Sequence, residues 1–95
     1  MINASGRFTV AGTLEPRQLC GGPHITYAVF ATNGATSVVV QLQVKIAGPE
    51  GQWEPQGTNL TAPTRNTVDA IPGAEYRLNV SAATFGTGIT VGLIG

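Results

Sequence analysis

The chain has 95 residues and ten charged side chains, five basic and five acidic, so its formal net charge is zero. Charged residues make up 11% of the sequence, against about 25% in typical globular domains. Because no Lys and Arg cluster to face phosphates and no basic amphipathic helix could lie on lipid, we expect neither nucleic acid nor a membrane as the partner. A chain with so little charge to keep monomers apart is expected to work packed against another protein surface.

The size and hydrophobic content predict one globular domain spanning residues 1–95. The chain has a mass of 9.8 kDa, and its 42% hydrophobic residues are too many for a disordered chain. No apolar stretch approaches the roughly 20 residues of a membrane-spanning helix, and the first residues lack the basic and apolar segments of a signal peptide. Cys20 is the only cysteine, so an internal disulfide is excluded. We therefore expect a protein made in a cytoplasm.

Hydrophobic and polar residues alternate along most of the chain, a period of two that is typical of half-buried strands. The run from residue 37 to 46 is the clearest example, with Val38, Val40, Leu42, Val44 and Ile46 on one face. In chain order, the predicted strands are 8–14, 24–32, 37–46, a short strand around Trp53, 67–71, 75–82 and 89–93.

Glycine and proline separate these segments at 21–23, 33–34, 48–51, 72–73 and 86–88. Such residues supply the backbone angles that tight turns require, and no segment has a convincing helical pattern. The sequence therefore predicts an all-β fold, a single small antiparallel β-sandwich or jelly-roll-like domain of about seven short strands.

The segment from 24 to 32 departs from simple alternation, since the face opposite its buried residues still presents Ala28 and Phe30. A strand that is apolar on both faces is usually covered on both. Val39 and Ile94 add further apolar residues to outward faces. Phe30 could lie under a loop or at the sandwich edge, or the outward face could be a subunit contact. The candidate interface residues are Ala28, Phe30, Val39, Trp53 and Ile94.

The sequence contains two pairs of reactive side chains that could suggest a catalytic site, and neither pair matches one well. Cys20 and His24 are four residues apart, but a Gly-Gly-Pro turn separates them and no Asn or Asp is evident to orient the histidine. Glu50 and Glu54 flank Trp53, yet a glycosidase needs its two carboxylates on either side of a cleft, which so small a sandwich rarely provides. We therefore expect no enzymatic activity, no catalytic residue, no metal site and no cofactor.

Trp53 is the residue most suited to ligand binding. Its indole ring could stack against a sugar, or it could cap the open end of the sandwich core, which is the commoner use of a lone tryptophan near a turn. Because the chain has only three Phe, two Tyr and one Trp, a platform of several rings is hard to assemble. Use in the core or at an interface is favoured, and a carbohydrate- or surface-binding module centred on Trp53 is the alternative function.

The second half of the chain, residues 37–95, has a recognisable order of segments. A Val-rich strand at 37–44 leads to a Gly-Pro-Glu-Gly turn and Trp53, then to a Thr/Asn-rich stretch at 57–64, and finally to the strands at 72–80 and 88–95. This order resembles small all-β virion proteins of tailed bacteriophages, especially capsid cement (decoration) proteins.

The resemblance implies a non-enzymatic structural protein of the virion, assembled in the host cytoplasm. Cement proteins are β-rich and commonly trimeric, and they clamp neighbouring subunits of the major capsid protein at local symmetry axes. A homotrimer bound to the major capsid protein or another virion protein is therefore expected, with the loops at 16–23 and 57–66 in contact with the shell. A component of the tail or of a head fibre is an alternative that is compatible with the same sequence features.

Overall fold

Eight antiparallel strands make up two four-stranded sheets in the computed structural model, which describes residues 1–46 and 50–95. We call them sheet A, with strand order β1-β8-β3-β6, and sheet B, with strand order β2-β7-β4-β5. The strands are β1 (Asn3–Phe8), β2 (Gly12–Leu14), β3 (His24–Ala31), β4 (Val39–Lys45), β5 (Trp53–Leu60), β6 (Thr64–Asp69), β7 (Glu75–Ser81) and β8 (Ile89–Ile94).

The strands pair as nested hairpins. β1 pairs with β8, β2 with β7, β3 with β6 and β4 with β5, all antiparallel. The chain is thus one long hairpin that rolls up, so that β3 also pairs with β8 and β4 with β7. This order is that of a jelly roll. The predicted all-β sandwich is confirmed, and the pairing specifies its topology.

The core lies between the two sheets and consists of the inward residues of each strand. Along β4 and β7, buried and half-buried residues alternate without a break. Leu42 of β4 and Leu78 of β7 are 0% exposed and are direct neighbours in sheet B, while Ile25 and Val91 of sheet A are equally buried. Burial of each such side chain contributes about 1.5–3 kcal/mol, so the two inner faces hold the sheets together.

Tyr27 closes the edge of the sandwich at which β5 of sheet B meets β6 of sheet A. Its ring is fully buried. Its hydroxyl donates to the backbone oxygen of Thr58 on β5, at 2.6 Å, and accepts from the side-chain amide of Asn66 on β6, at 3.0 Å. One side chain from the core thus joins both sheets through hydrogen bonds.

Tyr76 has the same role from the opposite sheet. Its hydroxyl donates to Oε1 of Gln56 on β5, at 3.1 Å, and accepts from the backbone N–H of Ile71, at 3.0 Å. The Gln56 amide in turn donates to the backbone oxygen of Asp69 on β6, at 2.6 Å. Every buried side-chain nitrogen or oxygen in the described part of the chain has a hydrogen-bond partner, so this closure leaves none of these polar groups without compensation.

Several strand boundaries differ from the sequence prediction. The predicted strand at 8–14 is two strands in different sheets, β1 ending at Phe8 and β2 beginning at Gly12, with a bend at 9–11 and Val10 exposed between them. Periodicity missed β1 because its inward residues include Ala4 and Gly6, which are too small to produce a hydrophobic pattern. The strand predicted at 67–71 is β6, which begins at Thr64.

The predicted loop at 57–66 is mostly strand, because β5 continues to Leu60 and only residues 61–63 connect it to β6. Ile46, predicted on the buried face with Val44, lies beyond the end of β4 and is 51% exposed. The predicted turn at 48–51 includes residues 48 and 49, which lie outside the described residues. Among residues 1–46 and 50–95 there is no helix of the length and hydrophobicity needed to cross a bilayer.

We expect Gly57→Ala to destabilise the fold more than Gly73→Ala does. Both glycines have positive φ, 75° and 87°, so alanine costs about 1–2 kcal/mol at either position. At position 57 a Cβ would also lie 2.7 Å from the Tyr27 hydroxyl oxygen, whereas at position 73 it meets nothing within 4 Å. Overpacking adds roughly 1–3 kcal/mol. Urea unfolding of both variants measures the difference, and equal losses would contradict the close contact at the tyrosine edge.

Candidate interaction surface

The outer face of sheet A carries an exposed apolar patch at its centre. Phe30 is 61% exposed and Ile94 is 48% exposed. The neighbouring strands place Ala28 opposite Gly92 in the same face, and Ala28 is only 9% exposed. We call Ala28, Phe30, Gly92 and Ile94 the sheet A patch. Contiguous exposed apolar groups of this kind mark contact surfaces more often than isolated ones do.

A β-bulge and a glycine decide how Phe30 is presented. The register of β3 against β8 shifts between Val29 and Ala31, so Phe30 is the additional residue of the bulge. Its ring lies over Gly92, where a Cβ would come within 2.7 Å of ring atom Cε2. The missing side chain at position 92 therefore leaves space for the ring to lie across β8.

Polar residues surround the sheet A patch. Asn3 and Ser5 of β1 lie on one side, and Arg65 of β6 lies on the other. Thr26 and Thr67 share a hydroxyl hydrogen bond of 2.7 Å on the same face. Together with the patch, Asn3, Ser5, Thr26 and Arg65 line a shallow depression of about 380 Å³. An apolar centre with a polar rim is the usual organisation of a protein–protein interface.

The five candidate interface residues fall on opposite sides of the molecule. Ala28, Phe30 and Ile94 lie on the outer face of sheet A, as described above. Val39 and Trp53 belong to β4 and β5 of sheet B and alternate with the inward residues there, so both are on the outer face of that sheet. The candidate residues therefore divide between two surfaces and do not form one.

Trp53 does not cap the core, contrary to the commoner use expected from the sequence. It is half-buried on sheet B and is not part of the core cluster. The Arg77 guanidinium lies over its ring, with Cζ 4.3 Å from the ring centroid, and Lys45 Nζ is 5.9 Å from it. Arg77 is held by Glu15 Oε1, 2.9 Å from Nη1, and by Gln43 Oε1, 2.6 Å from Nε.

The sequence pattern does not predict this cluster, because its members come from four separate segments of the chain. Glu15 follows β2, Gln43 is on β4, Trp53 is on β5 and Arg77 is on β7. Alternation alone places Gln43 and Arg77 on outward faces, but only the register, which pairs Gln43 with Arg77, brings them together. The only feature of the sequence that points to this cluster is a lone tryptophan in a chain with few charged residues.

A second exposed apolar group lies outside the sheet A patch and borders Lys45 and Glu75 of sheet B. Leu19, Ile46 and Ile71 are 54%, 51% and 44% exposed, and together they line a depression of about 250 Å³. Leu19 belongs to the loop at 16–23, joined by an isolated bridge to Glu75 at the start of β7. We call these three residues the end cluster.

The reactive side chains contact different partners. Cys20 is buried in the core, and its thiol donates to the backbone oxygen of Gly22 at 3.2 Å. His24 Nδ1 is 3.4 Å from Asp69 Oδ1 across the β3–β6 pair, an exposed contact that the sequence did not indicate. No group of three or more His, Cys, Asp or Glu side chains that could hold a metal ion occurs among the described residues.

The carboxylates beside Trp53 also fail to converge on it. Glu54 pairs with Val44, whose side chain faces the core, whereas Trp53 pairs with Lys45, whose side chain faces outward. Adjacent residues of a strand point to opposite sides, so the Glu54 carboxylate is on the other face of β5. Glu50 precedes the strand and is exposed.

Comparison of the chain with protein-family models, with curated proteins and with solved structures gives no match. The features of the molecule that bear on its function are therefore three surfaces: the sheet A patch, the end cluster and the surroundings of Trp53.

We expect Arg77→Gln to release the Trp53 ring. Loss of the guanidinium removes the contact with the ring and the hydrogen bond to Glu15, which should lower the free energy of unfolding by about 1 kcal/mol. Because Trp53 is the only tryptophan, its near-UV circular dichroism reports the ring directly and should weaken. Arg65→Gln, on sheet A, is the matched control and should leave that signal unchanged. An unaltered Trp53 signal in Arg77→Gln would contradict the stacking.

Proposed function

We propose that this protein is a non-enzymatic structural subunit that works as a homo-oligomer in the virion of a tailed bacteriophage. In that setting it is a capsid cement protein, a trimer that binds the major capsid protein and stabilises the shell. The observation that carries the proposal is the exposed Phe30 ring lying over Gly92 at the centre of a polar-rimmed sheet face.

The sheet A patch supports self-association. Although its ring lies over Gly92, Phe30 keeps 61% of its surface exposed, next to the exposed Ile94. A second copy that covers Phe30 and Ile94 would remove this apolar surface from water, which favours assembly by about 25 cal/mol for each Å² buried. The low charge of the chain favours the same outcome, since little repulsion opposes contact between copies.

A cement protein needs a second contact surface, and the end cluster suits that role. Leu19, Ile46 and Ile71 are exposed and lie outside the sheet A patch. Leu19 of the end cluster belongs to the loop at 16–23, one of the two loops expected from the sequence to contact the shell. We therefore assign the sheet A patch to contacts among copies and the end cluster to the shell.

Jelly rolls occur in viral capsid proteins, lectins and cupins. The fold is therefore compatible with a virion protein, although a fold shared by several functions is support by analogy only. The sheet A patch favours the virion protein among these, because an exposed apolar sheet face suits a protein partner better than it suits a small ligand.

We expect Phe30→Asp to abolish oligomerisation while leaving the monomer folded. The side chain is outside the core, so the free energy of unfolding of the isolated domain should change by roughly 0.5 kcal/mol or less, whereas a charge in the interface would be buried without a partner. Sedimentation equilibrium gives the mass, and circular dichroism gives the fold. Val10→Asp is the matched control, since Val10 is 69% exposed and outside the sheet A patch.

The shell contact is tested separately with expanded phage capsids. Leu19→Asp should leave the oligomer intact and reduce capsid binding at least about tenfold, the effect of losing roughly 1.4 kcal/mol. A wild-type protein that is monomeric at all concentrations and does not bind such capsids would contradict the proposed function.

A further inference from the structure

The outer face of sheet B contains a depression of about 330 Å³ beside Trp53. It is lined by Trp53, Lys45, Glu75, Tyr76 and, from the loop after β2, Glu15 and Arg17. Its size is at the lower end of the roughly 300–1,000 Å³ typical of small-molecule sites, which fits a ligand of about one ring. One aromatic wall and several charged side chains make its lining amphipathic.

The aromatic wall is held in place by contacts from outside the depression. Arg77 stacks on the Trp53 ring at 4.3 Å but does not line the depression. Glu15 and Gln43 hold the Arg77 guanidinium in turn, through bonds of 2.9 Å and 2.6 Å. The ring is thus ordered before any ligand binds, which reduces the entropy that binding would cost.

Some of the charged side chains around the depression have ion-pair partners and one does not, among the described residues. Glu15 is paired with Arg77, and Lys45 Nζ lies 4.0 Å from Glu75 Oε2. Arg17, by contrast, has no ion-pair partner among the described residues. Its guanidinium is therefore the cation available to a ligand, while the nearby Glu15 and Glu75 would repel a ligand carrying several negative charges, such as a phosphate ester.

The backbone of Arg17 is strained, which provides a test of the site. Its φ is 58°, a left-handed conformation that is uncommon for residues other than glycine, asparagine and aspartate. Glycine would adopt this conformation with less strain. Ser37 has a similar φ of 53° outside the depression, so replacing each residue with glycine separates relief of strain from loss of the Arg17 side chain.

We infer that this depression is a binding site for an acidic saccharide, a pyranose ring that carries one carboxylate. The apolar C–H face of the sugar stacks on the Trp53 ring, and the carboxylate is held by the Arg17 guanidinium, whose planar fork matches it. Lys45 and Glu75 provide a donor and an acceptor for hydroxyl groups. The inference does not rest on the proposed function, since none of the lining residues belongs to the sheet A patch or is one of the three residues of the end cluster, although the two depressions share Lys45 and Glu75.

The intrinsic fluorescence of Trp53 tests this directly, because the chain has no other tryptophan. We expect methyl β-D-glucuronide to change the emission in a saturable way, with a Kd on the order of 1 mM for a ligand of this size. Methyl β-D-glucoside, which has a neutral hydroxymethyl group in place of the carboxylate, should bind at least about tenfold more weakly. Acetate at the same ionic strength should have no effect.

Three variants separate binding from stability. Arg17→Gly should lose the preference for the glucuronide and raise the melting temperature, since glycine relieves the strained φ. Ser37→Gly relieves a similar φ of 53° outside the depression and should keep the preference. Trp53→Ala, followed by calorimetry, should lose binding of both sugars while the sandwich remains folded.

Three results of the fluorescence titrations would overturn the inference. Equal binding of glucuronide and glucoside, an equal response to acetate, or no response to any of the three up to tens of millimolar would each do so. Because these measurements use the free protein in solution, their failure leaves the proposed assembly function untouched, and loss of oligomerisation in Phe30→Asp leaves the sugar site untouched.

Discussion

Tyr27 and Tyr76 are the largest fully buried side chains in the described part of the chain, and each carries a hydroxyl that must be hydrogen-bonded inside the protein. Both find their partners at the edge where β5 and β6 meet, so the two sheets are joined there by hydrogen bonds. These hydrogen bonds close the sandwich at the edge where β5 and β6 meet. A sandwich without them would expose the core at that edge or leave buried hydroxyls unpaired, at a cost of about 1–3 kcal/mol each.

Because side chains alternate along each strand, packing one set into the core leaves the other set on the outer face of the sheet. On sheet A the outward positions contain an alanine, a phenylalanine, a glycine and an isoleucine, framed by hydroxyl and amide side chains and by Arg65. The bulge at Phe30 and the absence of a side chain at Gly92 turn these residues into a continuous apolar surface. On sheet B the outward positions are mostly polar, and the single tryptophan lies among them. The molecule therefore has two chemically different faces.

The few charged residues are unevenly distributed over the surface. Half of the ten charged residues gather around Trp53 on one face, namely Glu15, Arg17, Lys45, Glu75 and Arg77. Most of them are used in pairs, which leaves few charges to protect the rest of the surface. The same concentration that builds a polar depression on sheet B leaves the centre of sheet A without charged side chains, so both proposals have a common origin in how the charges are distributed.

Composition and period by themselves determined the all-β class, the core positions of the strands such as Leu42 and Leu78, and the outward placement of Phe30 and Ile94. These follow from local geometry, because a strand sends adjacent side chains to opposite sides whatever it pairs with. Strand ends were less well determined where small residues such as Gly6 weaken the pattern. Only the tertiary structure decided that Val39 and Trp53 lie on the face opposite Phe30, that Arg77 meets Trp53, and that Arg17 borders the same depression. Each of these depends on which strands are neighbours and in what register, and that information comes from long-range pairing rather than from any single segment of the chain.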